Sequence, residues 1–282
     1  MYALLRDLGM RTTKSVWPIR GQGDAPIGGA TCEDQAYLEW ALGLQRDGFE
    51  IAFHNAAPAS SPRREVERGL EVFRNQFGAY PKVHTNHGAN LDALYWGAAR
   101  LTGPQRWVYE RVIGHRRKGR DAGTDPDSVY FWGDLAQAHI TYVRNFVYHD
   151  IDTLACCPFM PYHDPARPFV NFWFASSEGA DRPAFCRTIR EENQDRLEEA
   201  GGACIMYTHF GVPDFRDGKR LHPRFVELMT RLAEKGGWFV PVGELLDHLR
   251  TQRGDPVLTP ASRRMLERRW LLERLVRARR RP

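Results

Sequence analysis

The chain has 282 residues, 42% of them hydrophobic and 27% charged, the balance of an ordinary globular protein long enough to bury a large core. No apolar run approaches the ~20 residues needed to cross a bilayer, and "MYALLRDLGMRTTK" lacks the charged, apolar and small-residue regions of a signal peptide. The net charge of +5 is concentrated at one end: residues 263–282 hold nine Arg against Glu267 and Glu273, a local +7 that leaves about −2 elsewhere, so the body is not a nucleic-acid-binding surface.

In chain order, "RTTKSVWPI" (11–19) reads as a strand and "TCEDQAYLEWALGLQRDG" (31–48) as a helix that Thr31 can cap. "FEIAFH" (49–54) is a strand. Ser61-Pro62 opens the helix "RREVERGLEVFRNQF", and Gly78 closes it in the C′ position. "KVHTN" (82–86) is a strand, followed by a helix around "LDALYWGAARL" (91–101) and an irregular polar excursion over 103–128. "VYFWGD" (129–134), "NFVYHDID" (145–152) and "FVNFWFAS" (169–176) have strand character, the last after a Pro-rich stretch. The helix "PAFCRTIREENQDRLEEAG" (183–201) precedes the apolar run "CIMYTHFG" (204–211). The helix "PRFVELMTRLAEKGG", the strand "WFVPV" (238–242) and "GELLDHLRTQ" complete the alternation. Strands alternating with helices imply a parallel sheet, either an open doubly wound one or a closed barrel. No glycine-rich phosphate motif follows any strand, which counts against a nucleotide-binding open sheet.

The five cysteines are odd in number and lack C-x-x-C spacing, as free thiols in a reducing compartment would be, and a cytoplasmic location is expected. Reactive groups of (β/α) barrels lie at strand C-termini. His54, His84, His87 and His209 all fall at such exits, as do Asp134, Asp150 and Asp152. Each such histidine is either an ordinary hydrogen-bonded residue or one of several imidazoles converging on a divalent cation. Side chains three apart on a strand face opposite ways, so His84 and His87 reach one ion only if the chain turns; His87, beside Gly88, is the preferred ligand. His115, His139, His163, His222 and His248 lack such company and read as structural or solvent-facing. Trp132, with Trp96, Tyr95 and Trp173, is either a stacking platform for a sugar or core. Arg144 is either a clamp for an acidic group or half of a structural ion pair.

"DLGMRTTKSVW" (7–17), "GFEIAFHN" (48–55), the helix ending "FGAYP", "CIMYTHFG" and "GGWFVPVGELLDHL" (236–249) occur in the order that resembles the polysaccharide deacetylase-like superfamily, the NodB-homology domain. The resemblance implies a distorted (β/α) barrel over 1–250, with 251–282 a basic helical extension. It also implies a divalent metal, usually zinc, that assists hydrolysis of an acetyl or other acyl group on a carbohydrate amide or ester. His54 matches the first ligand histidine and His209 the late-strand general acid. Asp134, Trp132 and Arg144 are the expected substrate contacts. The family's second ligand histidine falls on Pro58, which cannot bind a metal, so His87 would substitute. The family's paired aspartates lie on a strand upstream of "LLRDLG", which implies that the first strand is missing; a degenerate member that binds carbohydrate without hydrolysing it is the alternative. Leu266, Trp270, Leu271 and Leu275 recur at helical spacing in the tail, where the arginines could also contact an anionic surface.

Overall fold

A computed structural model describes residues 1–25, 27–88, 90–112 and 121–278, with the backbone alone at 277 and 278. Strands β1 (Thr13–Val16), β2 (Glu50–Phe53), β3 (Val83–His84), β4 (Tyr142–Tyr148), β5 (Phe172–Gly179) and β6 (Met206–Thr208) form one parallel sheet in sequence order, with β1 and β6 at its edges. An order that never reverses is that of a sheet curling into a half-barrel, not a doubly wound one. Helical crossovers link the strands, among them α2 (Gln35–Arg46), α3 (Arg63–Phe77), α4 (Gly103–Val112) and α5 (Gly133–His139), then α6 (Thr153–Cys156), α7 (Arg182–Thr188) and α8 (Glu191–Glu199). The fold is thus α/β, a distorted (β/α) barrel with one seam left between β1 and β6. Helix α1 (Tyr2–Asp7) lies across that seam: the Tyr2 ring meets Trp40 and Phe49 on one side at 5.4 and 5.5 Å, and Phe210 beyond β6 at 5.9 Å.

The N-terminal ends of the strands are closed by one helix. After α9 (Pro223–Glu234), helix α10 (Val242–Arg253) donates Val242 N to Thr13 Oγ1 (2.8 Å) and Gly243 N to Glu50 Oε2 (3.0 Å). Its Asp247 accepts from Tyr142 Oη at 2.7 Å, and its Arg250 lies over the Phe172 ring at 4.0 Å. Gly243 leaves room for the Glu50 carboxylate: a Cβ there would stand 2.2 Å from Glu50 Oε1 and the carboxylate would have to move. Chemistry is therefore left to the opposite, C-terminal ends. Helix α11 (Pro260–Ala278) covers β4 and α4, burying Leu266, Trp270 and Leu271 with the Trp270 ring against Tyr109 (5.7 Å) and Phe146 (5.5 Å).

Several expected elements differ. Thr31 does not cap α2: its hydroxyl has no partner, and the N-cap is Asp34, whose carboxylate accepts from Thr31 N. Residues 91–101 yield only the 3-10 turn Gly97–Arg100, because Tyr95 (φ 44°) and Gly97 (φ 61°) adopt left-handed conformations that no α-helix tolerates. Part of the polar excursion is helix α4. Residues 129–134 form no strand; Trp132 is drawn into the core, where its Nε1 donates to Asp92 O at 2.6 Å, and α5 begins at Gly133. Residues 238–242 join no strand among the described residues; Phe239 O accepts from Arg11 N, but Pro241 lacks a donor and opens α10. The 183–201 helix breaks into α7 and α8 at Ile189–Arg190.

Candidate functional site

The site begins where β2 ends. His54 N donates to Val16 O, extending the ladder one residue, and then Asn55 turns the chain at φ 59°, a conformation asparagine adopts more readily than most residues. The Asn55 amide fastens the next loop: its Oδ1 accepts from His87 N (2.9 Å) and its Nδ2 donates to Asp92 Oδ2 (2.6 Å). These bonds bring the His54 and His87 rings to 5.1 Å, edge to face at 79°. Trp17, just past β1, flanks both at 5.2 and 5.4 Å.

Their tautomers follow from their partners. His54 Nδ1 lies 2.7 Å from Thr85 O, a carbonyl that only accepts, so Nδ1 carries the hydrogen and Nε2 keeps its lone pair. His87 Nδ1 lies 2.9 Å from Asn90 Oδ1. That oxygen is an acceptor too, because Asn90 Nδ2 donates to Ala59 O (2.8 Å) and Ala57 O (3.2 Å). Two Nε2 lone pairs are therefore preset on adjacent rings. Burial holds the His54 pKa well below its usual value, with His87 and Arg144 acting in the same direction, so His54 is neutral near pH 7.

His84 points elsewhere: its nitrogens face Phe53 O (3.2 Å) and Asn86 Oδ1 (3.1 Å) inside the core, and burial pushes its pKa down to about 4. His209 follows β6, exposed, with Nδ1 3.0 Å from Ala180 O, so that its Nε2 accepts from Tyr207 Oη at 3.0 Å. Burial, the larger effect, lowers its pKa as well. It makes no ring contact with His54 or His87 among the described residues, though it lies close enough for His87 to act on it electrostatically. Arg144 on β4 is buried with its guanidinium over the Tyr207 ring at 4.1 Å.

Two expected substrate contacts stand apart. Asp134 is no strand-end residue; it sits at the exposed start of α5, where both oxygens accept from Arg63 at 2.6 and 2.8 Å. Trp132 is fully buried between Phe53 and His84, so neither face of its ring is open to a sugar. Of the other strand-exit carboxylates, Asp152 caps α6 and Asp150 accepts from Asp152 N and Arg196. His139 stacks on Tyr80, His222 caps α9, and His163 and His248 contact Asn171 O and Trp238; His115 lies outside the described residues. The residues that build the site and went unread in the sequence are Asn55, Thr85, Asn90, Trp17 and Tyr207. The signal available was the clustering of Asn beside His in "FHN" and "HTNHGAN".

A catalytic zinc takes three protein ligands. His54 and His87 offer two lone pairs of the required kind, each with its other nitrogen held by an acceptor, as ligating histidines usually are. No third His, Cys, Asp or Glu joins them among the described residues, and the fixed charges that act on His54 are the cations Arg144 and Lys14. The residues present form an imidazole pair but not a complete cation site. Surface cavities of about 280, 460 and 530 Å³ lie elsewhere, around Arg187, Arg106 and Phe131; neither His54 nor His87 lines them.

The architecture is a distorted (β/α) barrel of the kind found in deacetylases. A crystal structure of a candidate polysaccharide deacetylase from Mycobacterium smegmatis superimposes over 91% of this chain and 78% of its own, with a TM-score of 0.50 and 15% identity. At that identity the likeness shows the fold alone. No family model matches the chain, and no curated protein does.

Proposed function

We propose that the chain is a hydrolase of the polysaccharide deacetylase type, removing an acyl group from an amide or ester on a carbohydrate. The observation that carries this reading is the pair of preset Nε2 lone pairs, on His54 and His87, at the C-terminal ends of adjacent strands. Two acceptors 5.1 Å apart by ring centres suit a water molecule, one hydrogen directed at each imidazole. As that water attacks the acyl carbonyl, its proton is taken at one of the two Nε2 atoms. The imidazolium so formed gives that proton to the leaving nitrogen or oxygen, which returns the base to its neutral form. His209, whose Nε2 accepts from Tyr207 Oη at 3.0 Å, serves as the general acid only when it carries a second proton taken from solvent. A divalent cation, zinc first among them, is proposed as an alternative occupant of the same two Nε2 atoms. When bound it would polarise the acyl carbonyl.

The test is hydrolysis of 4-nitrophenyl acetate and of an N-acetylated chito-oligosaccharide, with and without added zinc. Proton transfer by a positioned side chain contributes about 10²–10⁴-fold, so His54→Ala and His87→Ala should each reduce kcat/KM at least ~100-fold while the protein remains folded. Wild-type protein inert toward both substrates under both conditions would end the proposal.

A further inference from the structure

Arg144 is a charge that the fold does not explain. It is 7% exposed, its Nε has no hydrogen-bond partner, and among the described residues its guanidinium forms no ion pair. Glu178 is the carboxylate that acts on it electrostatically, but Glu178 Oε1 is already engaged, accepting from Ala180 N at 2.9 Å. Leaving one ion of a buried pair without its partner costs several kcal/mol, and such charges are normally matched by a counter-ion. The Tyr207 ring, 4.1 Å from the guanidinium carbon, covers one face of the group and leaves hydrogen-bonding to its edge. That edge is a fork of Nε and Nη donors with the geometry of a planar carboxylate. Besides Glu178, histidines and a tyrosine stand around it: Arg144 acts electrostatically on His54, His84 and His209. Partly exposed His54 and Tyr207 and exposed His209 put the rim of this cluster within reach of solvent.

We propose that Arg144 is a carboxylate-binding residue beside the imidazole pair, and that the carbohydrate substrate is an acidic sugar whose carboxylate occupies the Nε/Nη fork. The placing of an acyl group next to it rests on the hydrolase reading above; the binding of a carboxylate by Arg144 does not.

The probes are D-glucuronate and D-glucose, identical but for the carboxylate. In two-dimensional NMR of the arginine Nε–H groups, the Arg144 resonance is the one absent from Arg144→Lys. Glucuronate should shift that resonance in a saturable way, and glucose at the same concentration should not. By calorimetry, Arg144→Lys, which keeps the charge but loses the fork, should bind glucuronate at least ~10-fold more weakly, and Arg144→Met should not bind it measurably. Three results would each overturn the proposal: an unmoved Arg144 resonance, equal binding of the two sugars, or Arg144→Met binding glucuronate as the wild type does. Should Arg144→Met fail to fold, the resonance of the wild-type protein decides alone. A protein that binds glucuronate through Arg144 yet hydrolyses no acyl group removes the hydrolase reading and leaves this inference standing. A protein that hydrolyses neutral acetylated sugars with no loss in Arg144→Met does the reverse.

Discussion

Asn55 serves the site twice, by its backbone and by its side chain. Its φ of 59° lets β2 end with His54 directed at the site, and its amide ties His87 N to Asp92. The two contributions separate by substitution. Asn55→Gly keeps the turn and loses the amide, which should cost about 1–2 kcal/mol in urea unfolding; Asn55→Ala loses the amide and adds the strain of a left-handed alanine, about 1 kcal/mol more. Equal losses would mean that the backbone angle is not under strain. His84 and Asp92 set the pH response. His84 is depressed from 6.5 to about 4, so its stabilising neutrality is complete above 6.5 and is lost as pH falls toward 4. One such shift is worth about 3 kcal/mol, and His54, also depressed, adds to the same fall. Asp92 is raised by burial from 3.8 to about 6, so its contribution is present below about 4 and is lost as pH rises through 6. Above pH 6.5 both effects are flat. Urea unfolding at pH 7, 5.5 and 4.5 should show a declining stability that His84→Gln makes distinctly shallower; an unchanged slope would remove His84 as the cause.

Helix α3 shows how an element is held against the site. Gly69 faces Ala56, where a Cβ would lie 2.7 Å from Ala56 Cβ and 3.1 Å from its Cα. Gly69→Ala gains up to ~1 kcal/mol in helix propensity and loses about 1–3 kcal/mol to overpacking, so a net loss is expected in urea unfolding, relieved in part by Ala56→Gly. A stabilised Gly69→Ala would show that the contact yields freely. This helix was readable from the sequence to the residue, because Pro62 and Gly78 punctuate an amphipathic run, and those signals are local. The six strands were readable in order, but that order left an open sheet and a barrel both possible, and the barrel came from the family resemblance. What failed depended on tertiary contacts. "VYFWGD" has the composition of a strand, but Trp132 finds its donor and packing partners in the core, and "WFVPV" meets α10 and Pro241 before it meets a strand. The site divided the same way: His54 and His87 stood at true strand exits, whereas Asp134 and Trp132 were placed by a strand that does not form.

At the level of the whole chain, the tail that looked like an appendage is tied into the core by buried charge. Glu267 on α11, 1% exposed, accepts from Thr102 N (3.0 Å), Thr102 Oγ1 (2.9 Å) and Arg167 Nη2 (3.2 Å). Arg167 also pairs with buried Asp164, which accepts from Arg263 Nε at 2.8 Å. Two acids and two arginines balance one another across α11, the start of α4 and the loop before β5. Removing one member strands a buried charge, so Glu267→Ala should cost about 3–5 kcal/mol, whereas Glu267→Met with Arg167→Met should cost less than the sum of the single changes. The same network decides what happens when the chain is cut after Thr259. The cut uncovers Tyr109 and Phe146, takes away Leu266, Trp270 and Leu271, and leaves Arg167 without Glu267. Burying three such side chains contributes about 1.5–3 kcal/mol each, so together with the orphaned arginine the loss rivals the 5–15 kcal/mol of a whole domain. The shortened chain should therefore lack a cooperative thermal transition and bind a hydrophobic dye. A cooperative melt within a few degrees of the full chain would instead make residues 260–278 a separable extension, with their arginines free to serve an anionic surface.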